Sequence, residues 1–199
     1  MKPGLTLYFV RHGQTEWNRT RRIQGQIDIP LNDTGREQAA RNGAALRELI
    51  GEALDGGRAL PFTSSPLGRC CETMEIIRGE LGLPRDDYAK DDRLKEIHFG
   101  HWQASYWTKL AEEDPEAHQA RAADAYGWRP EGGESYRDVT ARVANWLEGI
   151  EHDTVIVAHG GVSRALRGHV LSLPESEIPD LSVPQDKILV LHDGAMSWV

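Results

Sequence analysis

Only two cysteines are present, and they are neighbours, Cys70 and Cys71, so no disulfide framework can join distant segments. A reducing, cytoplasmic setting is the expectation that follows. No apolar run approaches the roughly 20 residues that a membrane-spanning helix needs, and residues 1–13 are too briefly apolar for a signal peptide before they meet charge. No membrane partner is expected. Basic residues are in deficit: 23 lysines and arginines face 31 acids, a net charge of −8. That balance argues against a broad phosphate-tracking surface and so against nucleic acid as a partner. With 20 glycines and 10 prolines in 199 residues, collagenous and mucin-like chains are excluded too. No internal repeat, linker or low-complexity tract is visible. What remains, 39% hydrophobic and 27% charged, suits one globular domain spanning 1–199.

Against this acidic background Arg11, Arg19, Arg21 and Arg22 stand close together with a single acid, Glu16, among them. A basic island of this kind points to a local anion site, the plain alternative being a solvated loop. Residues 5–10 form an apolar and aromatic run that stops at Arg11-His12-Gly13, the pattern of a buried strand feeding a loop. Asn32-Asp33-Thr34 offers helix caps, the apolar spacing from Ala39 to Ile50 predicts a helix, and Gly56-Gly57 ends it. A second strand is expected over 58–63, stopping at Ser64-Ser65-Pro66, with Pro66 in the first turn of a helix that runs to about Leu81. Residues 84–104 read as irregular. The polar stretch over about 105–129, broken by Pro115, reads as a lid-like insert with little apolar content. A helix is expected between Gly133 and Ile150, a strand over 154–158, a helix through Leu171, and a closing hairpin turning at Asp193-Gly194. The order predicts an α/β fold, a three-layer α/β/α sandwich around a largely parallel sheet.

Three strands would then end together, where open α/β sheets place their ligands. The turns bring Arg11, His12 and Gly13; Ser64, Ser65 and Arg69; and His159, Gly160 and Gly161. Arginine forks match phosphate oxygens, glycine permits close backbone approach, and the helix after Gly161 aims its first N–H groups at the site. A lone histidine at a strand end is usually structural; it is the coincidence of three such turns that weighs toward a phosphoryl site. No G-x-x-x-x-G-K-[ST], H-E-x-x-H or G-x-S-x-G motif occurs, and no G-x-G-x-x-G follows the first strand, which sets aside P-loop, zincin, serine-hydrolase and dinucleotide readings. His98 and His101 form only a weak metal pair.

Arg11-His-Gly-Gln-Thr-Glu-Trp-Asn18 resembles the signature of the histidine phosphatase superfamily, which includes the cofactor-dependent phosphoglycerate mutases. Ile23-Gln-Gly25, Ser64-Ser-Pro-Leu-Gly-Arg69, Leu94-Lys-Glu-Ile-His-Phe-Gly-His-Trp102, Glu131-Gly-Gly-Glu-Ser135 and Val157-Ala-His-Gly-Gly161 resemble further family segments, in order and over nearly the whole chain. The resemblance implies a phosphomonoesterase working through a phosphohistidine on His12, with Glu96 as proton donor. Arg11, Asn18, Arg69 and His159 would bind the phosphoryl oxygens, and Gln24, Gly25 and Gly160 would complete the substrate site. It implies no metal or other cofactor, and a small phosphorylated metabolite as partner. Glu96 is expected in a partly apolar or acidic setting that holds its proton. Gln14-Thr15 in place of Glu-Ser, and the short interval between Glu96 and His159, favour hydrolysis over mutase chemistry. A catalytically silent binding protein is a third reading, disfavoured because nucleophile, arginines and acid are all present. Two departures from the family pattern, Gln103-Ala104 and Cys70, are expected to touch no catalytic atom, the first affecting lid geometry and the second packing. A homodimer contact through Trp198 and the last strand is a further expectation.

Overall fold

The computed structural model describes residues 1–56 and 60–199. Its strands are β1 (Thr6–Arg11), β2 (Phe62–Ser64), β3 (Ala89–Lys90), β4 (Thr154–Ala158), β5 (Ile188–His192) and β6 (Ala195–Trp198). The α-helices are α1 (Glu16–Arg19), α2 (Asp33–Asp55), α3 (Gly68–Glu80), α4 (Leu110–Glu113), α5 (Pro115–Ala123), α6 (Tyr136–Glu148) and α7 (Gly160–Val170). The sheet runs β3-β2-β4-β1-β5-β6. Its first four strands are parallel; β5 pairs antiparallel to β1, and β6 to β5.

Burial on both faces explains the continuous apolar runs of β1 and β4. Leu7, Phe9, Ile156 and Ala158 pack with Val139, Val143 and Trp146 of α6 and Val162 and Leu166 of α7. The alternate residues Val10, Val155 and Val157 pack on the other side with Leu46 and Ile50 of α2 and Met74 and Ile77 of α3. The result is the expected three-layer sandwich. Local signals set the helix starts. The Asn32 side chain accepts from Gly35 N–H at 2.9 Å, and Ser135 and Asp138 close a reciprocal capping box on α6.

Several expectations need adjustment. Pro66 lies just ahead of α3, whose cap residue is Leu67, so it fixes the approach rather than the first turn. The region 84–104 is less irregular than its sequence: β3 adds a two-residue edge strand, and 3₁₀ turns cover Asp92–Leu94 and Gly100–Trp102. The second strand is shorter than expected, and the helix stop at Gly57 and the strand start at Arg58 lie outside the described residues. The Trp198 side chain packs inward on the core. It is half-buried against the core with Arg167 5.4 Å from its ring, and the exposed apolar groups there are Met196 and Val199. No helix among the described residues is long and apolar enough to cross a membrane.

Candidate active site

The C-terminal ends of β1, β4 and β2 lie side by side, with Arg11 paired to Ala158 and Ser64 to Val157. Main-chain bonds extend the ladder one residue beyond each strand: His12 N–H donates to Ala158 at 2.9 Å, and Ser65 N–H to Val157 at 2.9 Å. This brings His12, Ser65 and His159 together, with the imidazole centroids of His12 and His159 5.1 Å apart.

The tautomer of His12 follows from its surroundings. Nδ1 lies 2.8 Å from the Gly13 carbonyl, which can only accept, so Nδ1 carries the hydrogen and the Nε2 lone pair is left free. The ring is buried, and burial, then Arg69 and Arg11, push its pKa well below 6.5. It is neutral at physiological pH, as a nucleophile must be. His159 is also buried, with Nε2 2.8 Å from Ser65 Oγ; burial, then Arg69 and His12, hold it neutral too.

Two guanidiniums complete this core. Arg69, on the first turn of α3 and 1% exposed, donates through Nη1 to Ile27 O at 2.8 Å and through Nη2 to Gly25 O at 2.7 Å. Arg11 donates through Nη1 to Val183 O at 2.7 Å. Burial lowers its pKa to about 10 against the opposing pull of Glu96, so it stays charged at neutral pH. Both Arg11 Nε and Arg69 Nε are buried with no hydrogen-bond partner. A buried donor left unmade costs about 1–3 kcal/mol, so an anion that satisfies both is strongly favoured.

Around this core a cavity of 110 Å³ is lined by Arg11, Asn18, Gln24, Gly25, Glu96 and Gly160, among others. His12, Arg69 and His159 are not on its wall. Larger hollows are found elsewhere; one of 570 Å³, lined by Phe62, Arg78 and Tyr88, contains none of these residues, and the chemistry rather than the volume identifies the site. Asn18 Oδ1 accepts from Thr15 N–H at 3.1 Å and Gln185 Nε2 at 3.2 Å, which fixes the amide orientation and leaves Nδ2 as a donor. Gln24 Oε1 accepts from Thr15 Oγ1 at 3.0 Å. Glu96 Oε1 accepts the N–H groups of Ile97 and Gly161, each at 3.0 Å. The contact explains Gly161: a Cβ there would collide with Glu96 Oε1. The expected apolar or acidic setting of Glu96 is not found, since amides and the charge of Arg11 face it. Its backbone is clamped by Arg142, whose Nη2 reaches Glu96 O at 3.2 Å and whose Nε pairs with Glu134 at 2.9 Å. Within the Glu131-to-Ser135 segment, Glu134 thus steadies the residue that clamps Glu96.

Of the two departures from the family pattern, Cys70 touches a candidate catalytic side chain, contrary to expectation, whereas Gln103 meets the main chain beside Gly25. Cys70 Sγ lies 3.4 Å from His159 Nε2. Gln103 Oε1 accepts from Gln26 N–H at 2.8 Å and fills the space where a Gly25 side chain would stand, at a position whose φ of +54° already favours glycine. Sequence reasoning missed Gln185, whose Nε2 donates to His12 O at 2.9 Å and Asn18 Oδ1 at 3.2 Å, and the cavity-wall residues Tyr136 and Arg164, while Arg22 of the basic island does line the cavity. Of the weak pair, His98 Nδ1 accepts from Gly100 N–H at 3.0 Å, while His101 faces Asp114 at 2.8 Å. No group of metal-binding side chains is found among the described residues.

The family model of the histidine phosphatase superfamily (branch 1) matches residues 7–198. A glucosyl-3-phosphoglycerate phosphatase of Mycolicibacterium vanbaalenii is 36% identical over 187 residues, 88% of this chain and 78% of that protein. A metal-independent phosphoserine phosphatase of Arabidopsis thaliana is 37% identical over 166 residues, 80% of this chain and 66% of that protein. Among solved structures, a mycobacterial glucosyl-3-phosphoglycerate phosphatase in complex with VO3 superposes with a TM-score of 0.77 at 32% identity, covering 98% of this chain and 97% of the other.

Proposed function

The chain belongs to the histidine phosphatase superfamily, and on that premise we propose that it hydrolyses small phosphomonoesters in two steps, with His12 as nucleophile and Glu96 as proton donor. The observation that carries this reading is the pair of unpartnered buried guanidinium nitrogens beside a neutral histidine. A phosphoryl group seated there takes donors from Arg11 Nε and Arg69 Nε, from Asn18 Nδ2, and from the Gly160 N–H at the start of α7. His159 lies against the same group. His12 Nε2 attacks phosphorus as the ester bond breaks, and the charge spread over the three equatorial oxygens is met by the arginines. With Glu96 Oε1 tied to two amides, Oε2 is the oxygen that carries the proton to the leaving group. The resulting carboxylate then takes a proton from water, which attacks the phosphohistidine and releases phosphate.

Hydrolysis is preferred to mutase chemistry because the covering segment is slight. Over 105–129 only the short helices α4 and α5 form; α5 buries no residue, and Leu110 of α4 anchors the segment with Ile23 and Trp102. We infer that this segment is a partial lid over one domain spanning 1–199, acting on a small phosphorylated metabolite in the cytoplasm without nucleic acid as a partner. The unpaired outer edge of β6 is a surface on which a second copy could pair. The test compares 3-phosphoglycerate plus catalytic 2,3-bisphosphoglycerate with simple phosphomonoesters. Phosphate release from the monoesters is expected; rapid interconversion of 2- and 3-phosphoglycerate with negligible phosphate release would overturn the hydrolase reading.

A further inference from the structure

We propose that Gln185 is a positioning residue for the phosphoryl site: its side-chain amide holds the peptide unit of the nucleophile and turns the Asn18 amide so that Nδ2 faces the phosphoryl group. The proposal rests on the phosphatase reading above and adds to it a residue that acts only through others.

The segment that carries Gln185 is itself pinned. It leads from Leu181 toward β5, and three successive carbonyls accept from three arginines. Leu181 O accepts from Arg164 Nε at 2.7 Å, Ser182 O from Arg167 Nη2 at 2.8 Å, and Val183 O from Arg11 Nη1 at 2.7 Å. Pro184 restricts the backbone that follows. Gln185 O then accepts from Asn42 Nδ2 of α2 at 3.0 Å. The Gln185 side chain therefore leaves from a fixed point, and the same strap that launches it holds the guanidinium of Arg11.

What the side chain reaches is the second argument. Its amide nitrogen carries two hydrogens and meets two acceptors, His12 O at 2.9 Å and Asn18 Oδ1 at 3.2 Å. The first bond completes a clamp on the peptide unit between His12 and Gly13. Gln185 holds its carbonyl, and its N–H donates to Thr73 Oγ1 at 3.1 Å. The next carbonyl, that of Gly13, is the one that orients the His12 ring, so the direction of Nε2 depends on a turn fixed from both sides. The second bond acts on the cavity wall. Asn18 Oδ1 meets two donors, Thr15 N–H and Gln185 Nε2, so the Asn18 amide presents its NH2 elsewhere. One carboxamide thus sets the nucleophile from β1 against a phosphoryl donor from α1. Gln185 is only half-buried, so replacing it opens no cavity in the core.

The test reads kcat/KM for p-nitrophenyl phosphate, whose leaving group needs little protonation, so the value reports phosphoryl seating and attack rather than Glu96. Gln185→Met keeps the length, removes both donors and should cost about tenfold, the worth of two ordinary hydrogen bonds. Gln185→Glu keeps the shape but sets a carboxylate against two acceptors. Asn18 must then turn Nδ2 toward it and away from the phosphoryl group, and the loss should be about 100-fold. Inhibition by orthovanadate should weaken in the same order. A role in folding alone would cost the same whatever stands at position 18. Both substitutions are therefore repeated in an Asn18→Ala background, so that the outcome does not hang on one variant folding. There the cost of Gln185→Met should shrink from about tenfold to about threefold, and that of Gln185→Glu should shrink too. Equal costs in the two backgrounds overturn the proposal, as do losses under about twofold in both single variants, and either result leaves the phosphatase reading standing. A wild type that neither hydrolyses p-nitrophenyl phosphate nor is bound by orthovanadate strikes the phosphatase reading itself, and the proposal with it.

Discussion

Lowering the pH from 7.5 to 5.5 should destabilise this fold through two particular side chains, His12 and His159. They are 2% and 0% exposed, and burial first, then Arg69, depresses both pKa values well below 6.5. In the unfolded chain both rings take up a proton near pH 6.5; in the folded chain they resist it. Below pH 6.5 the unfolded state thus binds more protons, and the unfolding free energy falls as pH falls. For a ring still neutral in the fold at pH 5.5, the linkage amounts to RT ln 11, about 1.4 kcal/mol, against less than about 0.1 kcal/mol at pH 7.5. Two rings give roughly 2.7 kcal/mol, a large share of a typical domain's stability. Asp91 and Asp138, whose pKa values are lowered by hydrogen bonds from Arg93 and Ser135 respectively, act in the same direction at more acid pH. The comparison is therefore with the double variant His12→Gln/His159→Gln, which keeps those carboxylates. Urea unfolding at pH 7.5, 6.5 and 5.5 should show the wild type losing roughly 2.7 kcal/mol more than the variant. Parallel losses would refute the claim that burial and the arginines hold these rings neutral.

Further outcomes follow from Glu96 and its surroundings. Glu96→Gln should depress hydrolysis of alkyl phosphates by about 10²- to 10⁴-fold and of p-nitrophenyl phosphate far less, because nitrophenolate leaves with little need of a proton; equal losses on both would remove Glu96 as the donor. Gly161→Ala drives a methyl group into Glu96 Oε1 and should cost alkyl phosphates about tenfold in kcat, with steady-state rates on the same two substrates as the readout. Activity should be unchanged in EDTA; loss that a divalent ion restores would contradict metal-free transfer.

The parts of the fold that were legible in sequence are those whose cause is local. β1 and β4 could be read because buried parallel strands need apolar runs, and a histidine follows the last residue of each strand. Asn32 announced its helix through capping chemistry that spans three residues, and α6 was legible from its amphipathic stripe. The site was legible as three turns because the sheet aligns the ends of parallel strands. Its finer chemistry was not. Gln185 reaches His12 across 173 positions, and no local pattern marks such a contact. Cys70 reads as a packing residue until the first turn of α3 is laid against His159. Nor does the sequence around Glu96 show that its carboxyl will face amides of another helix. Arg164 sits in an unremarkable stretch of α7, and only the cavity reveals that it lines the site.

The central claim is a covalent phosphoryl group on His12. Rapid alkaline or detergent quenching after mixing with labelled phosphomonoester tests it most directly, followed by peptide mapping of the trapped label at alkaline pH. The account predicts an acid-labile, base-stable adduct on the peptide carrying His12, absent from His12→Ala. Equal labelling of His12→Ala, or label on any other residue, would contradict it.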